Sequence, residues 1–246
     1  MASYFILGST GLCGSHFLTT ALQSSEISKI LTISRRQPTP KQKDIDVSKL
    51  QTTVEKDTDK WPELITKNSK ELVGSSTPIK GNTFFSGFGT TRKAAGSAEN
   101  FLAIDRDINI KAFQAAKDSG IYETAVLVSA MNSNINSSFL YPKAKGEIEE
   151  AVVKMGFKRT IILKPGVLLG ERDESKGFPN NLSETIGGFL RNTLHVEKGA
   201  YPIYGDEVGK VGLFLSLKPA EKEGEVLYVG PSELLQIARE NGFSKQ

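Results

Sequence analysis

Residues 3–14 read SYFILGSTGLCG. A short apolar run, Tyr4 to Leu7, ends at Gly8, and Gly11 and Gly14 follow at intervals of three. The run predicts a buried strand over 3–8. Behind the glycines, Phe17, Leu18, Ala21 and Leu22 recur at helical spacing and predict a helix over 14–24. Three spaced glycines alone also fit an ordinary tight turn. Between a buried strand and a helix they fit a loop that holds a pyrophosphate. There Gly8 permits the sharp turn, Gly11 lets backbone N–H groups approach the anion, and Gly14 lets the helix pack closely on the strand. The helix N-terminus adds a favourable field.

Working outward, strand-like and helix-like segments alternate, which predicts βαβ units and an α/β chain with a parallel sheet. Strands are expected at 29–34, 50–57, 82–91, 124–130, 159–166 and 224–230, and helices at 61–73, 101–120, 142–156, 206–217 and 231–242. Residues 35–46 form a Pro/Lys loop, and 170–188 are rich in Gly, Asn and Ser. No segment reads as a linker, so one domain over 1–246 is expected, with substrate-side segments at about 170–205.

Composition narrows the function. The chain has 246 residues, a net charge of +3 and no dense Lys/Arg block, so nucleic-acid binding is not indicated. One cysteine, Cys13, cannot form an intramolecular disulfide, and with only His16 and His195 beside it no zinc-type cluster is expected. No apolar stretch reaches the ~18 residues that a bilayer requires. The N-terminal run is too short for a secretory signal and carries no Arg, so an intracellular protein is expected.

The second strand ends in Ser34-Arg35-Arg36. A dinucleotide site tells its cofactors apart at this place: an acid binds a ribose 2′-hydroxyl, whereas Arg accommodates a 2′-phosphate. Two guanidiniums and no carboxylate favour NADPH, against the alternative of a solvated surface pair. Further on, Tyr141 and Lys145 stand four residues apart, one turn along a helix. An ammonium beside a phenol favours the phenolate, which suits the tyrosine to proton transfer near neutral pH.

Six blocks in order carry a resemblance over residues 3–240: LGSTGLCG (7–14), ISRRQ (33–37), GTTRKAAG (89–96), YPKAKGEIE (141–149), ILKPGVLLGER (162–172) and YPIYGDEVGKVG (201–212). The chain resembles the atypical short-chain dehydrogenase/reductases, and among them the fungal Found-in-Mitochondrial-Proteome reductase-like proteins, which are related to metazoan Tat-interacting oxidoreductases. The resemblance implies a Rossmann-type doubly wound parallel sheet, with helices on both faces, that binds NADPH. Gly8, Ser9, Thr10, Gly11, Leu12 and Cys13 would form the pyrophosphate loop, and Arg35 and Arg36 would meet the 2′-phosphate. Gly89, Thr90 and Thr91 would pass beneath the cofactor. Tyr141 and Lys145 would be the catalytic pair, with Lys145 also on the nicotinamide ribose, and Pro165, Gly166 and Val167 would line the nicotinamide end. The adenine-contacting acid would follow the third strand, where Asp57 fits best and Asp46 fits if the strand lies earlier. The resemblance also implies peripheral association with the cytosolic face of the mitochondrial outer membrane. No lipidation motif or basic amphipathic helix accounts for that, so a protein partner or a weak basic patch would carry it.

One position departs from the resemblance. Relatives tend to pair two serines after the fifth strand, but here Ser129 is followed by Ala130. Ser129 is expected to hold the substrate carbonyl, with Ser133 or Ser138 as substitutes. Cys13 is expected to pack rather than react. Trp61 is expected to pack a crossover helix, and Asp206 and Glu207 to cap a helix. Residues 170–181 form either a surface loop or part of a lid. Two functions fit: an NADPH-dependent reductase of a small-molecule carbonyl compound, or an NADPH-binding regulatory or scaffold protein with little turnover.

Overall fold

A computed structural model describes residues 1–73, 81–170 and 201–244. Seven parallel strands form one sheet in the order β3-β2-β1-β4-β5-β6-β9. They are β1 (Ala2–Leu7), β2 (Ile27–Ser34), β3 (Leu50–Val54), β4 (Thr83–Ser86), β5 (Thr124–Val128), β6 (Arg159–Leu163) and β9 (Glu225–Val229). The chain runs outward from β1 to β3, then crosses back to β4 and continues the other way. The point of reversal therefore lies between β1 and β4, where such sheets open a crevice at their carboxyl ends.

All six residues of β1 are buried, because helices cover both faces of a parallel sheet. Its side chains alternate between two cores. Tyr4 and Ile6 join Phe17, Leu18, Val208 and Leu234 beneath helices α1 (Leu12–Gln23), α7 (Gly205–Leu217) and α8 (Pro231–Glu240). Phe5 and Leu7 join Trp61, Ile65, Phe113 and Ile148 beneath α2 (Trp61–Val73), α5 (Ile108–Ser119) and α6 (Leu140–Lys154). Each such side chain contributes about 1.5–3 kcal/mol on burial. Trp61 packs edge-on to Phe88 and donates its indole N–H to Glu55 O at 3.0 Å.

The 201–212 block, chemically silent as a motif, acquires a packing explanation. A Cβ at Gly205 would lie 2.6 Å from Leu12 Cγ, and one at Gly209 would lie 2.8 Å from Phe17 N. The glycines let α7 close on α1. Glu207 accepts the Tyr204 N–H at 2.9 Å, and Asp206 pairs with Lys210 at 3.4 Å instead.

Three segments depart from expectation. The helix predicted over 101–120 is broken into α4 (Ala98–Phe101), a π-helical stretch (Leu102–Asp107) and α5, and a further short helix, α3 (Arg92–Ala95), precedes it. The wide turn has a local cause: Asn109 Nδ2 donates to both Asp105 O (2.6 Å) and Phe88 O (3.1 Å), pulling the helix onto the end of β4. A two-stranded sheet, β7 (Leu168–Leu169) with β8 (Ile203–Tyr204), was not anticipated, because two residues carry no periodicity. The strand expected over 82–91 ends at Ser86, and Gly87 leads a turn. The loop or lid expected over 170–181 lies, beyond Gly170, outside the described residues.

Two buried tyrosines make the fold sensitive to alkali. Burial pushes the phenols of Tyr4 and Tyr122 above the ordinary value, although each is hydrogen-bonded, to Ser216 (2.9 Å) and Ser69 (2.8 Å) respectively. The folded state binds these protons more tightly than the unfolded chain does. Their stabilisation is complete below about pH 10, the ordinary tyrosine value, and declines above it. Denaturant midpoints measured from pH 8 to 11.5 are expected to fall beyond pH 10, and less steeply in Tyr122→Phe.

Candidate functional site

A cavity of about 460 Å³ opens at the crevice between β1 and β4. Its first wall is the glycine loop. Gly8 adopts φ +83°, and a Cβ there would lie 2.5 Å from Phe88 N. A Cβ on Gly14 would sit 2.1 Å from Gly8 O, so no side chain is compatible with this approach of α1 to β1. Gly11 N–H donates to Gly8 O at 2.8 Å and closes the turn. Thr10, Gly11, Leu12 and Cys13 line the cavity. Ser9 is fully buried, and its Oγ has no hydrogen-bond partner among the described residues. Gly11 caps α1 without a side-chain hydrogen bond, and the first turn carries no acid, so the uncapped helix end is aimed at the crevice.

The two arginines follow β2 in a bend and line different clefts. Arg36 lines the main cavity, along with Lys41 and Arg92. Arg35 lines an adjoining small cleft with Gly8, Ser34 and Trp61. The turn after β4 supplies Gly89, Thr90 and Thr91 to the floor of the cavity.

The far wall is α6 and the end of β5. Tyr141 and Lys145 both line the cavity from one face of α6, with the Lys145 Nζ 5.9 Å from the Tyr141 ring centroid. Tyr141 is 46% exposed, whereas Lys145 is buried. The next position on this face, Glu149, carries a buried carboxylate. Ser129, from the end of β5, lines the cavity, and its hydroxyl hydrogen-bonds Glu149 Oε1, as does that of Ser133. Lys164 meets the other oxygen, Oε2, at 3.2 Å. Both serines donate to Oε1. Ser129 can donate to a carbonyl in the cavity only by turning its hydroxyl away from Glu149, which keeps Ser133 and Lys164.

Sequence reasoning missed a second carboxylate. Asp105, fully buried in the π-helical stretch, places Oδ2 2.8 Å from Lys145 Nζ and accepts the Thr90 N–H on Oδ1 at 2.8 Å. The sequence did carry a signal: Asp105 stands three, seven and eleven residues before Ile108, Ala112 and Ala116, a carboxylate on the apolar face of the expected helix. Glu149 had one too: it continues the four-residue spacing from Tyr141 through Lys145.

Other expected residues lie apart. Asp57 lines neither cleft; it caps the 3₁₀ turn Thr58–Lys60 by accepting the Asp59 N–H at 3.1 Å. Asp46 is exposed too, and hydrogen bonds from Ser48 hold its carboxyl below the ordinary value. Pro165 and Val167 spend their carbonyls on Met131 N–H and Ile203 N–H, both at 3.0 Å, and Leu168 rather than Gly166 or Val167 reaches the cavity. Cys13 is buried, in keeping with packing.

The fold is a Rossmann-type, doubly wound parallel sheet. It is similar to the solved Bordetella bronchiseptica enzyme WbmH in complex with NAD+ (TM-score 0.61, 14% identity, 100% of this chain and 83% of that one). It is also similar to the Campylobacter jejuni UDP-Glc/GlcNAc 4-epimerase (TM-score 0.63, 11% identity, 98% and 83%). No family model matches the chain. Whole-length relatives do: the chain is 42% identical over 238 residues to the mitochondrial protein FMP52 of Candida albicans, covering 96% of this chain and 98% of that one. It is 41% identical over 236 residues to that of Saccharomyces cerevisiae, covering 95% of each. The chain belongs to the FMP52 family.

Glu149 is the shared acceptor of the far wall, and its removal strands Lys164 and two serine hydroxyls. Glu149→Ala is expected to lower the unfolding free energy by about 3 kcal/mol, the scale for breaking a buried pair. Urea denaturation of the variant beside the parent checks this.

Proposed function

We propose that the protein is an NADPH-dependent oxidoreductase that reduces a small-molecule carbonyl compound. One observation carries the reading: the Tyr141–Lys145 pair faces the same cavity as the glycine loop and the uncapped end of α1. The residues present suit the cofactor. The Gly8–Gly14 cradle has no room for a Cβ, the buried Ser9 hydroxyl lacks a partner, and the uncapped N–H groups suit a pyrophosphate. Arg35 and Arg36 would take the 2′-phosphate, and Thr90 and Thr91 the underside. When bound, the cofactor supplies hydride to the carbonyl carbon. Tyr141 would give its phenolic proton to the carbonyl oxygen. Lys145 would hold ribose hydroxyls and favour the phenolate. Ser129, its hydroxyl turned from Glu149, would orient the carbonyl. The FMP52 relatives are described as mitochondrial, and no helix among the described residues is long and apolar enough to cross a membrane. A peripheral place on the outer membrane, held through a protein partner, fits both facts.

A second reading has its own support. The Ser129 hydroxyl is already engaged by Glu149, and the Lys145 charge is met by Asp105. Both blunt the chemistry and favour a cofactor-binding protein with little turnover.

Pure protein with NADPH and a panel of aldehydes, ketones and quinones decides between them. Loss of reduced-nicotinamide absorbance is expected, with Tyr141→Phe slowing it at least about a hundredfold, the scale of general acid catalysis. Tight NADPH binding with no turnover on any class would establish the second reading. NADPH should bind more tightly than NADH, and Arg35→Ala or Arg36→Ala should each erode that preference about tenfold, the scale of a charge-assisted hydrogen bond. Equal affinity for the two cofactors would overturn the 2′-phosphate assignment.

A further inference from the structure

We infer that Asp105 is a positioning residue of the site that acts through Lys145, which it anchors in the cleft. The inference rests on the cofactor assignment above. Several observations converge on this carboxylate. It is fully buried, and it forms an ion pair with Lys145, itself 6% exposed, at 2.8 Å. Its other oxygen takes the Thr90 N–H at 2.8 Å, so two parts of the cavity wall that are 55 positions apart meet on a single side chain. The turn is shaped to admit it: a Cβ on Gly89 would lie 2.7 Å from Asp105 Oδ1 and 3.5 Å from Lys145 Nζ. The helix is shaped to present it, because Asp105 sits in the π-helical stretch whose carbonyl is tied down by Asn109. Such one-residue widenings of a helix recur at functional sites.

The chemistry follows from the donor count. An ammonium has three N–H donors and no acceptor. Asp105, which lines the same cavity, engages one side of the ammonium, and at least two donors remain for hydroxyl groups of a ligand. Without the anchor, a four-carbon side chain has ample rotamer freedom, and fixing it on binding costs affinity. Asp105 therefore works through Lys145, and its effect belongs to the nicotinamide half of the cofactor. The adenosine half, at the arginine end, lies outside its reach.

That division supplies the test. Dissociation constants are measured for NADPH, by quenching of protein fluorescence, and for adenosine 2′,5′-bisphosphate, which lacks the nicotinamide ribose, by calorimetry. In Asp105→Asn, NADPH affinity is expected to fall tenfold or more while the bisphosphate changes less than twofold. An equal fall for both ligands would reduce Asp105 to a structural ion pair, and no fall for either would remove it from the site; each overturns the inference. If the parent protein binds neither ligand, the cofactor assignment fails instead. Should Asp105→Asn not fold, the double variant Asp105→Asn/Lys145→Met is compared with Lys145→Met, since removing both charges spares the fold an unpaired one. The two are expected to show the same ratio of NADPH to bisphosphate affinity. A further drop in the double variant would show that Asp105 acts otherwise than through Lys145, and would overturn the inference.

Discussion

The contact on which the site depends is backbone against backbone: the first turn of α1 lies so close to the end of β1 that a Cβ on Gly14 would sit 2.1 Å from Gly8 O. No other residue type permits it. The consequences run in two directions. Toward the crevice, the approach brings uncapped N–H groups of α1 to the point where strand order reverses, which is where an anion gains most from them. Away from the crevice, it sets the plane in which α1 meets α7, and the small residues at Gly205 and Gly209 answer to that plane. One steric condition thus links the first core to the cavity wall.

The opposite wall obeys an electrostatic condition. Each polar group that α6 or β5 presents to the cavity at depth has a buried carboxylate behind it: Asp105 behind Lys145, and Glu149 behind Ser129. In a medium of low dielectric, such networks hold their members in one geometry and penalise any member left alone. The arrangement is also restrained in its chemistry. An ammonium that already faces a carboxylate lends less positive potential to a neighbouring phenol than a lone one would. A serine that donates to a carboxylate is not, in that state, a donor to substrate. The site combines a fixed geometry with tempered polarity.

Local features were legible in the sequence, and long-range ones were not. The residues of α2 match expectation end to end, because Trp61, Leu64, Ile65 and Asn68 repeat at helical spacing. The strands of the large sheet were legible from short apolar runs stopped by glycine or polar residues. The π-helical stretch was not, because its cause is Asn109 reaching to Phe88, a contact visible only once β4 and α5 are side by side. Asp57 shows how context redefines a carboxylate. Its place after β3 suggested a ligand contact, yet the following 3₁₀ turn needed a cap and took the carboxylate. Asp105 stands on the apolar face of the predicted helix, which marks it as a buried charge, but its partners Lys145 and Thr90 are distant in sequence and could not be read from that spacing.

The charges gathered at the cavity resolve the chain's modest net charge of +3 into a gradient. Arg36, Lys41 and Arg92 line the cavity, and Arg35 stands in the cleft beside it. Across from them, Lys145 is balanced by Asp105, and Glu149 by Lys164. One end thus gathers cationic side chains, and the other pairs its charges within the wall. A ligand that is anionic throughout would gain at the first end and nothing at the second. A ligand that is neutral throughout would leave the arginines unused. The distribution suits a molecule with its phosphates at one end and an uncharged reacting group at the other, which is the form of the proposed cofactor and its carbonyl partner. The same reasoning explains why surface composition alone was uninformative: the sorting of charge occurs within one crevice and cancels in the sum.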